Sequence, residues 1–78
     1  MTYGYSQFTI SANRSASKRA LGVALGRACI EHGVSVYKVA EMFGVSRQTV
    51  YNWFDGTHDP KPELTAAVEA YIRRLTKK

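Results

Sequence analysis

The chain has 78 residues, 45% of them hydrophobic and 22% charged, which fits one small domain with a modest core and excludes a multidomain enzyme. Eleven lysines and arginines against six acidic residues give a net charge of +5, which favours an anionic partner such as nucleic acid. The single cysteine, Cys29, excludes a disulfide framework or a multi-cysteine zinc site, and no apolar run is long enough for a membrane span or a signal peptide. We therefore expect a cytoplasmic protein without a membrane segment.

The first part of the chain divides into an arm and a helix. Residues 1–16 are rich in small polar residues and their apolar positions keep no single period, so we expect a flexible or partner-docking N-terminal arm. From Ser17, with Ser15 or Ser17 as its cap, a helix is predicted by residues at three- and four-residue intervals, namely Leu21, Ala24, Leu25, Ala28 and His32. Gly22 and Gly26 lie four residues apart on this helix, which predicts that another helix packs closely against it.

Three further helices follow Gly33, which ends the first. Ser35 caps a second helix, which stops at Gly44. Ser46 caps a third helix, whose inward residues are Val50, Trp53 and Phe54. After a loop, a last helix is predicted over residues 62–75, because proline is tolerated in a first turn and apolar residues recur there at helical spacing.

The two short middle helices are joined at Gly44 with almost no linker, which requires a residue that tolerates positive φ. Small, glycine and apolar residues stand around this joint at Ala40, Gly44, Val50 and Trp53, and the third helix ends on Asp55-Gly56. In these positions the sequence resembles the helix-turn-helix of the Cro/C1 repressor family of phage and bacterial regulators. The resemblance implies an all-α fold, a compact, lambda-repressor-like bundle of four to five short helices over residues 17–78 with the arm in front.

The pair Trp53-Phe54 is also a homeodomain feature. The residues that follow, Asp55, Gly56 and Thr57, are not the basic residues of a homeodomain, and the glycine turn argues in the same direction. We therefore favour the Cro/C1 type over a homeodomain.

The resemblance implies that the outward face of the third helix reads bases in the major groove. Arginine can form two hydrogen bonds with guanine, and glutamine or asparagine can pair with adenine. We therefore predict that bases are read by Arg47, Gln48 and Asn52. A merely solvated helix face would more often carry Glu and Lys, and this face carries neither before Asp55.

Backbone or mixed contacts with DNA are predicted for a second set of residues: Ser46, Tyr51, Tyr37, Lys38 and Lys61. If about five or six phosphates are neutralised, the logarithm of the binding constant falls with the logarithm of salt concentration at a slope of about −5.

The predicted function is a sequence-specific transcription regulator of double-stranded DNA in the bacterial nucleoid, of the phage or prophage repressor or Cro-like type. A homodimer or higher homo-oligomer is expected because a domain this small reads few base pairs. The dimer could use the last helix, the arm, or the side of the first helix that carries Val23 and Ile30. Two alternatives are an architectural or accessory factor in phage transposition or recombination, and a protein-interaction module such as an antitoxin.

An enzyme is not expected. His32 and His58 are far apart in sequence, neither has a recognisable nucleophile nearby, and no carboxylate pair has metal or acid–base spacing. We therefore predict no catalytic residue, no metal, no cofactor and no small-molecule substrate.

Overall fold

The computed structural model describes residues 7–16 and 20–77, and five segments of this part are helical. The helices are α1 (Gln7–Ser15), α2 (Leu21–His32), α3 (Val36–Phe43), α4 (Arg47–Phe54) and α5 (Pro62–Thr76). The Cα radius of gyration is 11.1 Å, close to the value of about 11.5 Å for a folded domain of this length. The predicted all-α bundle of four to five short helices is confirmed.

Local sequence signals set the ends of the middle helices as predicted. The Oγ atom of Ser35 accepts a hydrogen bond from the backbone N–H of Lys38 at 3.1 Å, and Ser46 Oγ accepts one from Thr49 N–H at 3.1 Å. Gly44 follows α3 with φ 67°, in the left-handed region that glycine adopts without strain. The result is a helix, a tight turn and a second helix over residues 36–54.

The start of α2 differs from the prediction. The helix begins at Leu21 after Ala20, which makes no side-chain capping bond, and not at Ser17. Ser15, one of the two predicted caps, is the last residue of α1, so its backbone already belongs to another helix. Residues 17–19, which include the other predicted cap, lie outside the described residues.

Residues 7–15, predicted as part of an arm, form α1 and pack on the rest of the chain. Ile10 and Asn13 are buried on one side of this helix. The Nδ2 atom of Asn13 donates to the carbonyl oxygens of Val23 at 3.1 Å and of Phe54 at 2.7 Å. One side chain therefore ties α1 to both α2 and α4, since each bond satisfies a buried polar group. The rest of the predicted arm, residues 1–6, lies outside the described part of the chain.

Helix α2 is central, with α1, α4 and α5 packed around it. The predicted close approach is confirmed: a Cβ atom at Gly22 would lie 2.6 Å from the backbone oxygen of Trp53, and one at Gly26 would lie 2.7 Å from Phe54 Cγ. Val23 was expected off the core face, but it is fully buried. Because helices cover α2 on more than one side, its buried arc is wider than a single stripe, and Val23 is not available for a dimer contact.

The core joins the helix-turn-helix to α5 through aromatic rings. Phe43 meets Trp53 edge to face at a centroid distance of 6.0 Å and Tyr71 at 6.1 Å. Cys29 is fully buried, and burial raises the pKa of its thiol to about 12. The thiol is therefore neutral at physiological pH and packs as a small apolar group.

Candidate nucleic-acid interface

The exposed side of α4 lies opposite the residues that anchor this helix in the core. Val50, Trp53 and Phe54 are buried, and their spacing leaves the other side of the helix to solvent. Among the predicted residues on α4, Asn52 is half-buried, and three are exposed: Arg47, Gln48 and Tyr51. The predicted base-reading set is therefore accessible on one short helix.

Two of these side chains form an amide pair. Gln48 Nε2 donates to Asn52 Oδ1 at 3.1 Å, one helical turn further along. A glutamine amide has two N–H donors and an oxygen with two lone pairs. The bond to Asn52 uses one donor, which leaves the other donor and the Oε1 atom of Gln48 to face a ligand.

Two hydroxyl groups meet at the N-terminus of α4, and only one of them, that of Ser46, was predicted as part of the site. Ser46 Oγ, besides its capping bond, lies 3.0 Å from Thr49 Oγ1. Thr49 was not predicted as part of the site, although a threonine three residues after a capping serine is placed by helix geometry to meet it. The pair fixes the first turn of α4, from which Arg47 extends.

The other predicted residues lie on neighbouring helices. Tyr37 and Lys38 are exposed in the first turn of α3; Tyr37 exposes 63% of its surface, and its hydroxyl donates to Glu41 Oε2 at 3.5 Å. Lys61 is exposed and precedes the first residue of α5. Lys61 and Asn52 line one open cavity of about 540 Å³ beside α4. The structure thus brings Lys61 to the Asn52 side of α4 and leaves Tyr37 and Lys38 on α3.

The loop after α4 is held against this helix by one backbone hydrogen bond and one bond to a side chain. The N–H of His58 donates to the carbonyl oxygen of Asn52 at 3.1 Å, and the N–H of Thr57 donates to Asp55 Oδ1 at 2.9 Å. Gly56 has φ 85°, which allows the chain to reverse immediately after the helix. These contacts place residues 57–61 along one edge of α4.

The charge around α4 is mixed. Residues 31–69 contain three basic residues, Lys38, Arg47 and Lys61, against six acidic ones. The acidic residues limit the attraction of this segment for phosphate, so directed hydrogen bonds and apolar contacts have to add to the affinity that charge provides.

Metal binding and membrane insertion are two other roles against which the described residues can be compared. Within residues 7–16 and 20–77, no three His, Cys, Asp or Glu side chains are grouped so that they could hold a metal ion. None of the helices in the same ranges combines the length and apolar character of a bilayer span.

The arrangement of α2, α3 and α4 defines a helix-turn-helix domain, a class of fold that binds DNA with its second motif helix. The chain belongs to the homeodomain-like domain family, whose profile matches residues 13–59. No match was found among curated proteins or among solved structures. The helix-turn-helix DNA-binding class predicted from the sequence is therefore supported.

The family match is to a homeodomain-like domain, so it does not support the argument for the Cro/C1 type over a homeodomain. That argument used the glycine turn and the non-basic residues that follow α4, namely Asp55, Gly56 and Thr57. Both features lie inside the matched region, residues 13–59, which also contains the three-helix core of α2, α3 and α4. A basic extension beyond α4 is not needed to form that core.

Proposed function

We propose that the protein is a sequence-specific DNA-binding transcription regulator that inserts α4 into the major groove. Arg47 and Gln48 read base edges there, with Asn52 beside them, and Ser46, Tyr51, Tyr37, Lys38 and Lys61 contact the sugar-phosphate backbone or the groove edge. The repressor role that the resemblance to phage-type Cro/C1 regulators implies is part of this proposal, with occupation of an operator as its mechanism.

The observation that best supports base reading by α4 is the hydrogen-bonded amide pair of Gln48 and Asn52. Adenine offers an acceptor at N7 and a donor at N6 in the major groove, and a glutamine amide matches both at once. Asn52 accepts one Nε2 hydrogen of Gln48 at 3.1 Å; with the hydrogen trans to Oε1 in that bond, the cis hydrogen and Oε1 are available for the match. The side chain is also held by this bond before DNA arrives, which lowers the entropy cost of binding.

A homodimer on two half-sites follows from the size of the reading surface. One eight-residue helix reaches few base pairs, and genomic DNA offers a large excess of competing sites. Two copies related by a two-fold axis double the number of base contacts and bind half-sites separated by about one helical turn. The last helix remains a candidate dimer surface, whereas on the predicted side of α2 Val23 is fully buried and only Ile30 is partly exposed.

Selection of bound duplexes from a random pool at near-physiological salt tests the proposal. We expect an inverted repeat with half-site centres about 10 base pairs apart and a log-log salt dependence with a slope of about −5. Recovery of element ends without an inverted repeat would favour the architectural alternative. Failure to enrich any sequence would contradict specific DNA binding.

Replacing Arg47 by alanine is expected to weaken binding to the selected duplex by about fivefold to 150-fold, since a bidentate contact with guanine discriminates by about 1–3 kcal/mol. The helix content should not change, because Arg47 is exposed. Fluorescence anisotropy with the selected and a scrambled duplex measures the effect. Arg73→Ala, which removes the same charge from an exposed position on α5, is the control. Equal losses on both duplexes in both variants would show that Arg47 acts only as a charge.

A further inference from the structure

Helix α1 presents an aromatic side chain to solvent next to the reading face of α4. Phe8 exposes 81% of its surface, while Ile10 and Asn13 on the other side of α1 are buried. The ring therefore contributes little to the core. An apolar group of this size is stabilised by leaving water, so a partner that covers it gains affinity.

The position of Phe8 relative to α4 is fixed by packing. Asn13, one to two turns further along α1, donates to the carbonyl oxygen of Phe54 at the end of α4. Between the two helices lies a groove of about 280 Å³, whose walls are Phe8, Thr9 and Ala12 from α1, Gln48 and Tyr51 from α4, and Asp55 directly after α4. Gln48 and Tyr51 belong to the proposed DNA surface, so the groove continues that surface onto α1.

The chemistry of the groove fits a base edge better than a phosphate. Its six lining residues include no lysine or arginine, and Asp55 adds a carboxylate. Phe8 and Tyr51 offer aromatic rings, and Thr9 and Ala12 are small. The C5-methyl group of thymine is the apolar group that the major groove displays, and phenylalanine is among the side chains that contact it.

We propose that Phe8, with Tyr51 behind it, contacts thymine methyl groups that flank the bases read by α4. The inference rests on the proposed function, because it uses the same duplex and the same groove. A helix with its side chains is about 10–12 Å wide and the major groove about 12 Å. Helix α1 therefore stays at the edge of the groove, and the side chain of Phe8 reaches the base pairs beside those that Gln48 reads.

Replacing thymine by deoxyuridine, which removes only the methyl group, tests this contact. The selected duplex is made with single replacements at each thymine and titrated with the wild-type chain, Phe8→Ala and Met42→Ala. We expect the wild type to lose about fourfold at one or two flanking positions per half-site, the value of one buried methyl group. Phe8→Ala should bind the thymine duplex about tenfold more weakly and show no further loss with deoxyuridine.

The controls separate this inference from the proposed function. Met42 exposes 42% of its surface on α3, outside the groove, so Met42→Ala should keep the wild-type pattern. If Phe8→Ala keeps wild-type affinity and the same deoxyuridine losses while Gln48→Ala loses binding, the Phe8 contact is overturned and the proposed function stands. If Phe8→Ala changes the mass measured by sedimentation, the ring covers a protein surface and the inference is overturned. If the wild type selects no sequence, both fail.

Discussion

Replacing Trp53 by alanine is expected to unfold most of the protein at room temperature. The side chain is 3% exposed and packs edge to face on Phe43 at 6.0 Å, and its backbone lies against α2 at Gly22. Truncation of a buried tryptophan costs about 3–5 kcal/mol, which is similar to the whole stability of a domain of this size. Urea denaturation followed by circular dichroism measures the loss.

Two variants define what the result means. Tyr37→Ala removes an aromatic ring that is 63% exposed on α3 and should leave the midpoint nearly unchanged. Trp53→Phe keeps an apolar ring in the core and should recover part of the stability. A Trp53→Ala chain with the wild-type midpoint would contradict the packing of α4 on α2 and α3.

Adding one methyl group at Gly22 is expected to destabilise the fold, although alanine is the better helix former by about 1 kcal/mol. The new Cβ would lie 2.6 Å from the backbone oxygen of Trp53 and 2.8 Å from its Cα. These atoms belong to the backbone of α4, so the helices have to separate to accommodate the methyl group. We expect a net loss of about 1–3 kcal/mol, the usual cost of overpacking, visible as a lower melting temperature.

A glycine without close neighbours provides the control for this prediction. A Cβ at Gly44 would meet no atom within 4 Å, and only its φ of 67° opposes a side chain. Asparagine tolerates that region better than most residues, so Gly44→Asn should cost much less than Gly22→Ala. If Gly22→Ala raised the melting temperature, as helix propensity alone predicts, the close contact between α2 and α4 would be refuted.

The helices from α3 onward could be predicted because their signals are local. Ser35 and Ser46 cap helices three residues before the N–H groups that they accept, and Gly44 sits where the turn requires positive φ. Helix α1 depends instead on the bond from Asn13 to Phe54, which are 41 residues apart. A short polar segment does not show such a partner in its own sequence.

The candidate site likewise has a part that the sequence predicts and a part that depends on the three-dimensional structure. Helical spacing alone placed Gln48 and Asn52 on the outward side of α4, and side-chain chemistry suggested base reading. Their mutual hydrogen bond depends on rotamers, and the proximity of Lys61 to Asn52 depends on the path of the loop after α4. Neither can be derived from spacing in one sequence.

Base reading by Gln48 on α4 is the step on which the proposed function depends most. The direct measurement is to select duplexes from one random pool with the wild-type chain and with Gln48→Ala, and to compare base preferences position by position. We expect the variant to lose the preference for adenine at one position of each half-site and to keep the preferences elsewhere. Identical preferences for the two chains at every position would contradict it.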